Sequence, residues 1–438
     1  MITVVGMDGS PLSQRAEAAL AAAALVVGAR RHLAAVPGPA GPGRARTMVL
    51  GELAPALDAL AACGGDAVVL ASGDPGFFGI VRALRERGLP CTVLPAVSSV
   101  ALAFARAGLP WDDAAVVSVH GRDPRQAVNV CRAHDKVAVL TGPGCGPAEL
   151  GAALEGWDRR LLVAEHLGSR SERVTECSPA EAAGRAWADP NVVLVLAPAG
   201  RAPLPHAPHP SWMWPELLAL GGEAGCGPGG AGWALSEDQF DSRGAVLTKA
   251  EVRALALARL SPGPGTLVWD VGAGSGSVAV ECARFGAAVI AVERDVVRCE
   301  RVRANAARHA VDVRIVPGEA PGAVEKLPDP DAVFVGGGGI AVIEVVAARR
   351  PARIVVALAA VERAGPAIAA LTAAGYATGG ALVQAARLAP LPGEVHRLAA
   401  TNPVFLVWAT AGPGTTGPVS PGSHSNPGPR GSGPGAPR

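Results

Sequence analysis

Residues 266–281 read TLVWDVGAGSGSVAVE, an apolar run through Trp269 to Asp270 and Val271, then glycines at 272, 274 and 276, then a second apolar stretch from Ser277. A strand-length apolar run that meets a glycine-rich turn and continues into a helical stretch is a β-turn-α unit. Glycine allows the backbone to approach a ligand closely, and the helix amino terminus presents free N–H groups at the same place. The G-x-G-x-G spacing is not the G-x-G-x-x-G of dinucleotide folds, and no Lys-Ser/Thr follows as in a P-loop. A less anionic ligand fits better. Alone, such a turn is also an ordinary strand-to-helix connection, so its neighbours decide.

The next apolar run, AAVIAVERD (287–295), ends in Glu293, 293 − 272 = 21 residues after Gly272. From that strand end an acidic side chain reaches the hydroxyls of a ribose; the plain alternative is a surface carboxylate paired with Arg294. A third run ends in PGEA (317–320), which brings Glu319 and Ala320, and a fourth reads DAVFVGGGG (331–339). Every strand end on one side thus carries a loop able to touch a ligand, which is the carboxyl edge where open α/β sheets bind small molecules. Thr248 precedes a helix with apolar residues at Val252, Leu255, Ala256 and Leu260. With Asp270, Ala273 and Ser275 of the turn, these residues form the candidate site of the second half.

Working outward, strands are expected at Ile2–Val5, Ala67–Ala71, Cys91–Leu94, Ala115–Val119, Lys136–Leu140 and Asn191–Leu196, with a helix over Arg15–Ala24. In the second half they are expected at Thr266–Val271, Ala288–Val292, Val313–Val316, Ala332–Val335, Arg353–Ala357 and Pro403–Trp408. Short apolar runs alternating with helical stretches predict an α/β protein built on open, mostly parallel sheets. The segment 203–234 is rich in Pro, Gly, His and Trp (PLPHAPHPSWMWP, GGEAGCGPGGAG) and is expected to be a linker, with Trp212 and Trp214 either a lid or a short packed helix. The division is therefore 1–202, a linker over 203–234, 235–411, and a disordered Gly/Pro/Ser/Thr tail over 412–438. Few contacts should cross such a linker.

The 438 residues carry 39 basic and 38 acidic side chains with no long like-charge block, which argues against a nucleic-acid partner. Eight scattered cysteines without a C-x-x-C pair predict neither disulfides nor structural zinc, and no metal is expected. No apolar run approaches the roughly 18–20 residues of a membrane span, and no signal peptide precedes the fold, so a cytoplasmic protein without a membrane partner is expected. A homo-oligomer is expected as well.

The second half, through LTKAEVRALALARL (247–260), DVGAGSGSVAVE, AVERD, GEAP and DAVFVGGGG, resembles a class I S-adenosyl-L-methionine methyltransferase of Rossmann-like fold. In particular it resembles the C15-methylating, decarboxylating kind that acts on precorrin-6B. That resemblance implies that Gly272 to Gly276 enclose the methionine part of the cofactor, Glu293 the ribose and Glu319 and Ala320 the adenine edge, with Thr248 closing the site. The first half carries LASGDPGFFGI (70–80) and PAVSSVALAFARAGLPWDDAAVVSVHGR (95–122), and it resembles the tetrapyrrole methylases, whose cofactor lies in a cleft between a pair of α/β subdomains. Gly73, Asp74, Pro75, Ser98 and Ser99 are its candidate cofactor residues. Its first loop, VVGMDGSPLS (4–13), is shorter than the Gly-rich loop of that family, which usually carries a further Gly and an acidic residue.

Joined in this order, the halves resemble the fused precorrin-6Y C5,15-methyltransferases (decarboxylating) of corrin biosynthesis. The resemblance implies methylation of a tetrapyrrole at carbons 5 and 15 and loss of the ring C acetate carboxylate, from precorrin-6B to precorrin-8X. A macrocycle with many peripheral carboxylates calls for Arg and His donors. The candidates are Arg31 and His32 beside Arg30, His120 and Arg122 in VSVHGR, and, near the end, Arg387 and His396, each with the alternative of a solvated surface charge. Competing readings keep the second half as a tRNA or protein methyltransferase, or make one half a degenerate docking scaffold.

Overall fold

The computed structural model describes residues 1–36, 45–120, 123–198, 232–242 and 247–412. Most of the 203–234 linker with Trp212 and Trp214, the tail beyond 412, and Arg122 lie outside the described residues.

The first sheet contains β1 (Ile2–Met7), β2 (Leu25–Gly28), β3 (Arg46–Val49), β4 (Ala67–Ser72) and β5 (Cys91–Leu94), all parallel, in the order β3-β2-β4-β1-β5. β2 went unpredicted because its four residues follow an Ala-rich helix, Gln14–Ala22, without a break in hydrophobicity. The helix starts where Ser13 caps it, its hydroxyl accepting from the Ala16 N–H.

The second sheet is β6 (Ala115–Ser118), β7 (Lys136–Leu140), β8 (Arg160–Glu165), β9 (Arg173–Cys177) and β10 (Asn191–Leu196), in the order β6-β7-β10-β8-β9. Only β6 and β7 pair in parallel here; β10 runs antiparallel to both β7 and β8, and β9 antiparallel to β8. The expected parallel character fails in this sheet for a physical reason. The connection 166–172 between β8 and β9 is far shorter than the dozen or so residues a parallel crossover requires, so it can only reverse the chain.

The third sheet has β11 (Leu267–Val271), β12 (Ala288–Glu293), β13 (Arg314–Pro317), β14 (Ala332–Val335), β15 (Arg353–Leu358), β16 (Tyr376–Val383) and β19 (Val404–Ala411), in the order β13-β12-β11-β14-β15-β19-β16. β11 to β15 are parallel, and β19 is antiparallel to its neighbours β15 and β16. A separate hairpin pairs β17 (Ala386–Leu391) with β18 (Val395–Ala400). β11 and β12 are buried along their whole length because helices cover both faces, which is why they read as continuous apolar runs. Trp269 and Ile290 enter the core on one face, and Val268 and Val289 enter it on the other.

The two halves touch, contrary to the expectation of few crossing contacts. Asn129, fully buried on the helix Pro124–Ala133, donates to the Gly265 carbonyl and to Asp331, both at 3.1 Å. Arg159, with its side chain fully buried, pairs with Asp312 at 2.7 Å, and Arg125 pairs with Asp331 at 3.0 Å. The guanidinium groups of Arg132 and Arg314, one from each half, both lie over the Trp157 ring. These residues were invisible as an interface because each pair is separated by well over a hundred positions in the chain.

Candidate functional site

In the second half, the turn after β11 has left-handed backbone at Gly272, Gly274 and Gly276 (φ +78°, +59° and +75°), where a side chain is strained. A Cβ on Gly272 would lie 3.0 Å from the Gly337 N, and one on Gly276 would lie 2.8 Å from Val302 Cγ1, so the turn is packed from two sides. Glu293, at the end of β12, is buried and accepts from the Gly274 N–H at 2.9 Å and the Asp295 N–H at 3.0 Å. Its carboxylate thereby fixes the turn. Arg294, its suspected surface partner, pairs instead with Glu319 at 2.7 Å, and that pair is largely exposed. Ala320 beside it packs on the edge of the core.

Asp270 is fully buried; its Oδ2 accepts from the Ala279 N–H at 2.9 Å while Oδ1 has no partner. Burial pushes its carboxyl up to about 7, with the Glu293 charge acting in the same direction and the Ala279 N–H against it. An orphaned buried oxygen under a glycine turn is what a ligand bearing a hydrogen-bond donor would complete, so the residues fit a cofactor that carries such a donor. Ala273 and Ser275 complete the turn, and the Ser275 carbonyl accepts from the buried Asn305 side chain at 2.8 Å. Thr248 enters just before the helix Ala250–Leu260, and its carbonyl accepts from Arg253 at 2.7 Å.

Three polar residues that support this site escaped the sequence reading. Arg253 and Glu281 form a fully buried ion pair, and Glu281 also accepts from the Ala234 and Leu235 N–H groups at 2.6 and 3.0 Å. Asn305 ties Ser275 to Asp241, accepting from the Asp241 N–H at 2.8 Å. Nothing in local spacing marks them, because their partners lie tens of residues away. Conversely, Arg387 is not free to meet a substrate: it is held between Glu237 and Glu251 at 2.6–2.8 Å, and this bond holds the Glu237 carboxyl down at about 2. His396 is exposed on β18.

In the first half, three strand ends converge. A Cβ on Gly6 would sit 2.4 Å from the Gly73 carbonyl oxygen and 2.6 Å from the Ala96 N, and one on Gly73 (φ +57°) would sit 3.1 Å from the Ser98 Cα and 3.2 Å from the Ser99 N. Asp74 closes its own turn by accepting from the Gly76 N–H at 2.8 Å, Pro75 is buried between them, and Ser98 caps the helix Ser99–Ala107. The short first loop does carry an acidic residue. Asp8 accepts from Ser10 N–H at 2.9 Å and Val97 N–H at 3.2 Å, bridging the first loop to the β5 loop; burial raises its carboxyl, but these backbone bonds prevail and hold it below the usual range.

Two of the expected carboxylate donors gather at the same edge. Arg31 donates to Ser72 Oγ at 2.8 Å and His32 Nε2 lies 3.2 Å from that oxygen, one residue before Gly73. Burial, and then the Arg31 charge, lowers the His32 pKa, so its ring is held neutral near pH 7. His120, across the cleft, lines a cavity of about 130 Å³ with Phe78, Gly79, Arg82 and Ser118. Arg82 was not anticipated. A second cavity, of about 150 Å³, lies between the first loop and Pro95–Ala96.

The chain matches two families, "Tetrapyrrole (Corrin/Porphyrin) Methylases" over residues 2–183 and "Precorrin methyltransferase domain" over residues 238–411. It is 36% identical over 361 residues to a precorrin-6Y C(5,15)-methyltransferase [decarboxylating] of Sinorhizobium sp, covering 77% of this chain and 78% of that one. The chain belongs to the precorrin-6Y C5,15-methyltransferase family. Members of this family depend on S-adenosyl-L-methionine. Two shorter relatives each cover 40% of this precorrin-6Y C5,15-methyltransferase family chain. One is a probable cobalt-precorrin-6B C(15)-methyltransferase (decarboxylating) of Pyrobaculum calidifontis, 35% identical over 187 residues and covered for 95% of its length. The other is a cobalt-precorrin-7 C(5)-methyltransferase of Salmonella typhimurium, 37% identical over 186 residues and covered for 89%.

Proposed function

We propose that the chain methylates a precorrin-6-type tetrapyrrole twice, at carbons 5 and 15, and removes one ring acetate carboxylate, with a separate S-adenosyl-L-methionine site in each half. The observation that carries this reading is the pair of glycine-lined carboxyl edges, one locked by Glu293 beneath Gly274 and one closed by Gly6 and Gly73 against Ser98 and Ser99. We assign the C15 methylation and decarboxylation to residues 235–411 and the C5 methylation to residues 1–202. The substrates in the names of the two shorter relatives, 6B and 7, support an order in which the second half acts first.

Gly272–Gly276, Asp270, Glu293, Glu319, Ala320 and Thr248 would hold one cofactor, and Gly73, Asp74, Pro75, Ser98 and Ser99 the other; when bound, it supplies an electrophilic methyl group. The residues of the chain align the reactants and exclude water, since a reduced tetrapyrrole is itself a carbon nucleophile and delocalises the charge left by carbon dioxide. Arg31, His32, Arg82 and His120 are the donors for peripheral carboxylates in the first half. The exposed apolar side chains of Leu388 and Leu398, paired across the β17–β18 hairpin, support a homo-oligomer, which sedimentation equilibrium tests.

Calorimetry with S-adenosyl-L-methionine tests the two-site reading. Two molecules bound per chain are expected; one would favour a degenerate first half acting as a scaffold.

A further inference from the structure

The strand directions fix where each candidate site lies relative to the junction between the halves. In the third sheet the junction residues Gly265, Asp312 and Asp331 all precede their strands, β11, β13 and β14, and so lie at the amino edge. The glycine turn, Glu293 and Glu319 follow strands of the same parallel set and lie at the carboxyl edge. A strand rises about 3.3 Å per residue, so the five residues of β11 alone put roughly 16 Å of packed sheet between the junction and the site.

The first half repeats this arrangement. β8 is antiparallel to β10, and β10 is antiparallel to β7, so β8 runs in the direction of β7 and β6. Arg132, Trp157 and Arg159, which make the junction, precede β7 or β8 and share one edge of the second sheet. His120 and Gly142 follow β6 and β7 at the other edge, where a Cβ on Gly142 would lie 3.0 Å from His120 Nδ1. That other edge is the one that meets the loop after β4 around the cavity containing Arg82.

We infer that the two halves are joined back to back, so that the once-methylated macrocycle leaves one site through solvent and enters the other from solvent, with no route inside the chain. The third sheet joins by its amino edge, and the second sheet by its amino edge at Arg159 and by the flank of the helix Pro124–Ala133 at Arg125 and Asn129, while both sites open on carboxyl edges. A macrocycle many ångströms across cannot cross a junction packed around the buried side chains of Asn129, Arg159 and Trp157. This inference rests on the two-site reading above.

The test is the approach to steady state with the full chain, precorrin-6B and labelled S-adenosyl-L-methionine. A free intermediate must accumulate before the second site can use it. The lag before twice-methylated product appears should therefore shorten about tenfold when the enzyme concentration is raised tenfold, and once-methylated macrocycle should pass an ultrafiltration membrane during that lag. Adding a tenfold molar excess of the Gly274→Val chain, checked for folding by circular dichroism, should shorten the lag by a similar factor, because its first half captures the free intermediate. A lag independent of enzyme concentration, with no once-methylated macrocycle in the filtrate, would overturn the back-to-back inference while leaving both activities in place. Transfer of a single methyl group, with one cofactor counted per chain, would instead remove the two-site reading, and the inference with it.

Discussion

The buried carboxylate of Glu293 accepts the backbone N–H of Gly274 at 2.9 Å, so an acidic side chain at the end of one strand fixes the glycine turn at the end of the next. Its other oxygen accepts from the Asp295 N–H at 3.0 Å. Charge-assisted hydrogen bonds contribute roughly 1.5–3 kcal/mol each. Glu293→Ala should therefore weaken S-adenosyl-L-methionine binding at the second-half site by about ten- to a hundredfold and leave the first-half site unchanged. Calorimetry that resolves the two sites checks this; equal weakening of both would contradict it.

Gly274→Val acts on the same turn through the backbone. At φ +59° a β-branched residue is strained, and the N–H that meets Glu293 would be displaced. With precorrin-6B, the variant should leave the macrocycle unmethylated and its acetate carboxylate retained, because the first half acts on the product of the second. Mass spectrometry reads both changes, and wild-type amounts of twice-methylated, decarboxylated product from the folded variant would exclude this turn as a cofactor site.

Asp270 makes stability depend on pH in a predictable direction. Its folded carboxyl titrates at about 7 against 3.8 for an ordinary aspartate, because burial disfavours the charge. The folded state therefore holds the proton more tightly. The favourable contribution is fully present below about pH 4 and is lost as the pH rises through about 7, by at most roughly 4 kcal/mol. Asp270→Asn, which cannot ionise, should remove this component, so the melting temperature of the wild type should fall relative to that of the variant between pH 5 and 8. Parallel pH profiles would show that Asp270 does not titrate in this range.

The junction predicts coupled unfolding of the two halves. Asn129→Leu deletes both donors to Gly265 and Asp331 and the acceptor for Arg132, leaving buried groups unpaired at about 1–3 kcal/mol each. Differential scanning calorimetry should show a single cooperative transition for the wild type and a broadened or split one for the variant, with cofactor binding at each site retained. A split transition in the wild type would mean that the interface contributes little.

Local sequence determined most strands of the third sheet and the identity of the glycine turn, because a buried parallel strand must be apolar throughout and a left-handed turn admits few residues besides glycine. The order of two differently built halves was also legible, since each keeps its own turn chemistry at its strand ends. Only the tertiary structure decided which polar groups work together. The removal of Arg387 from the substrate candidates by Glu237 and Glu251, the use of Asp8 to bridge two loops, the Arg253–Glu281 pair beneath Thr248 and the Asn129–Asp331 junction all join residues far apart in the chain. A hydrogen bond depends on position in space, and a side chain's neighbours along the chain do not specify which distant strand end will meet it.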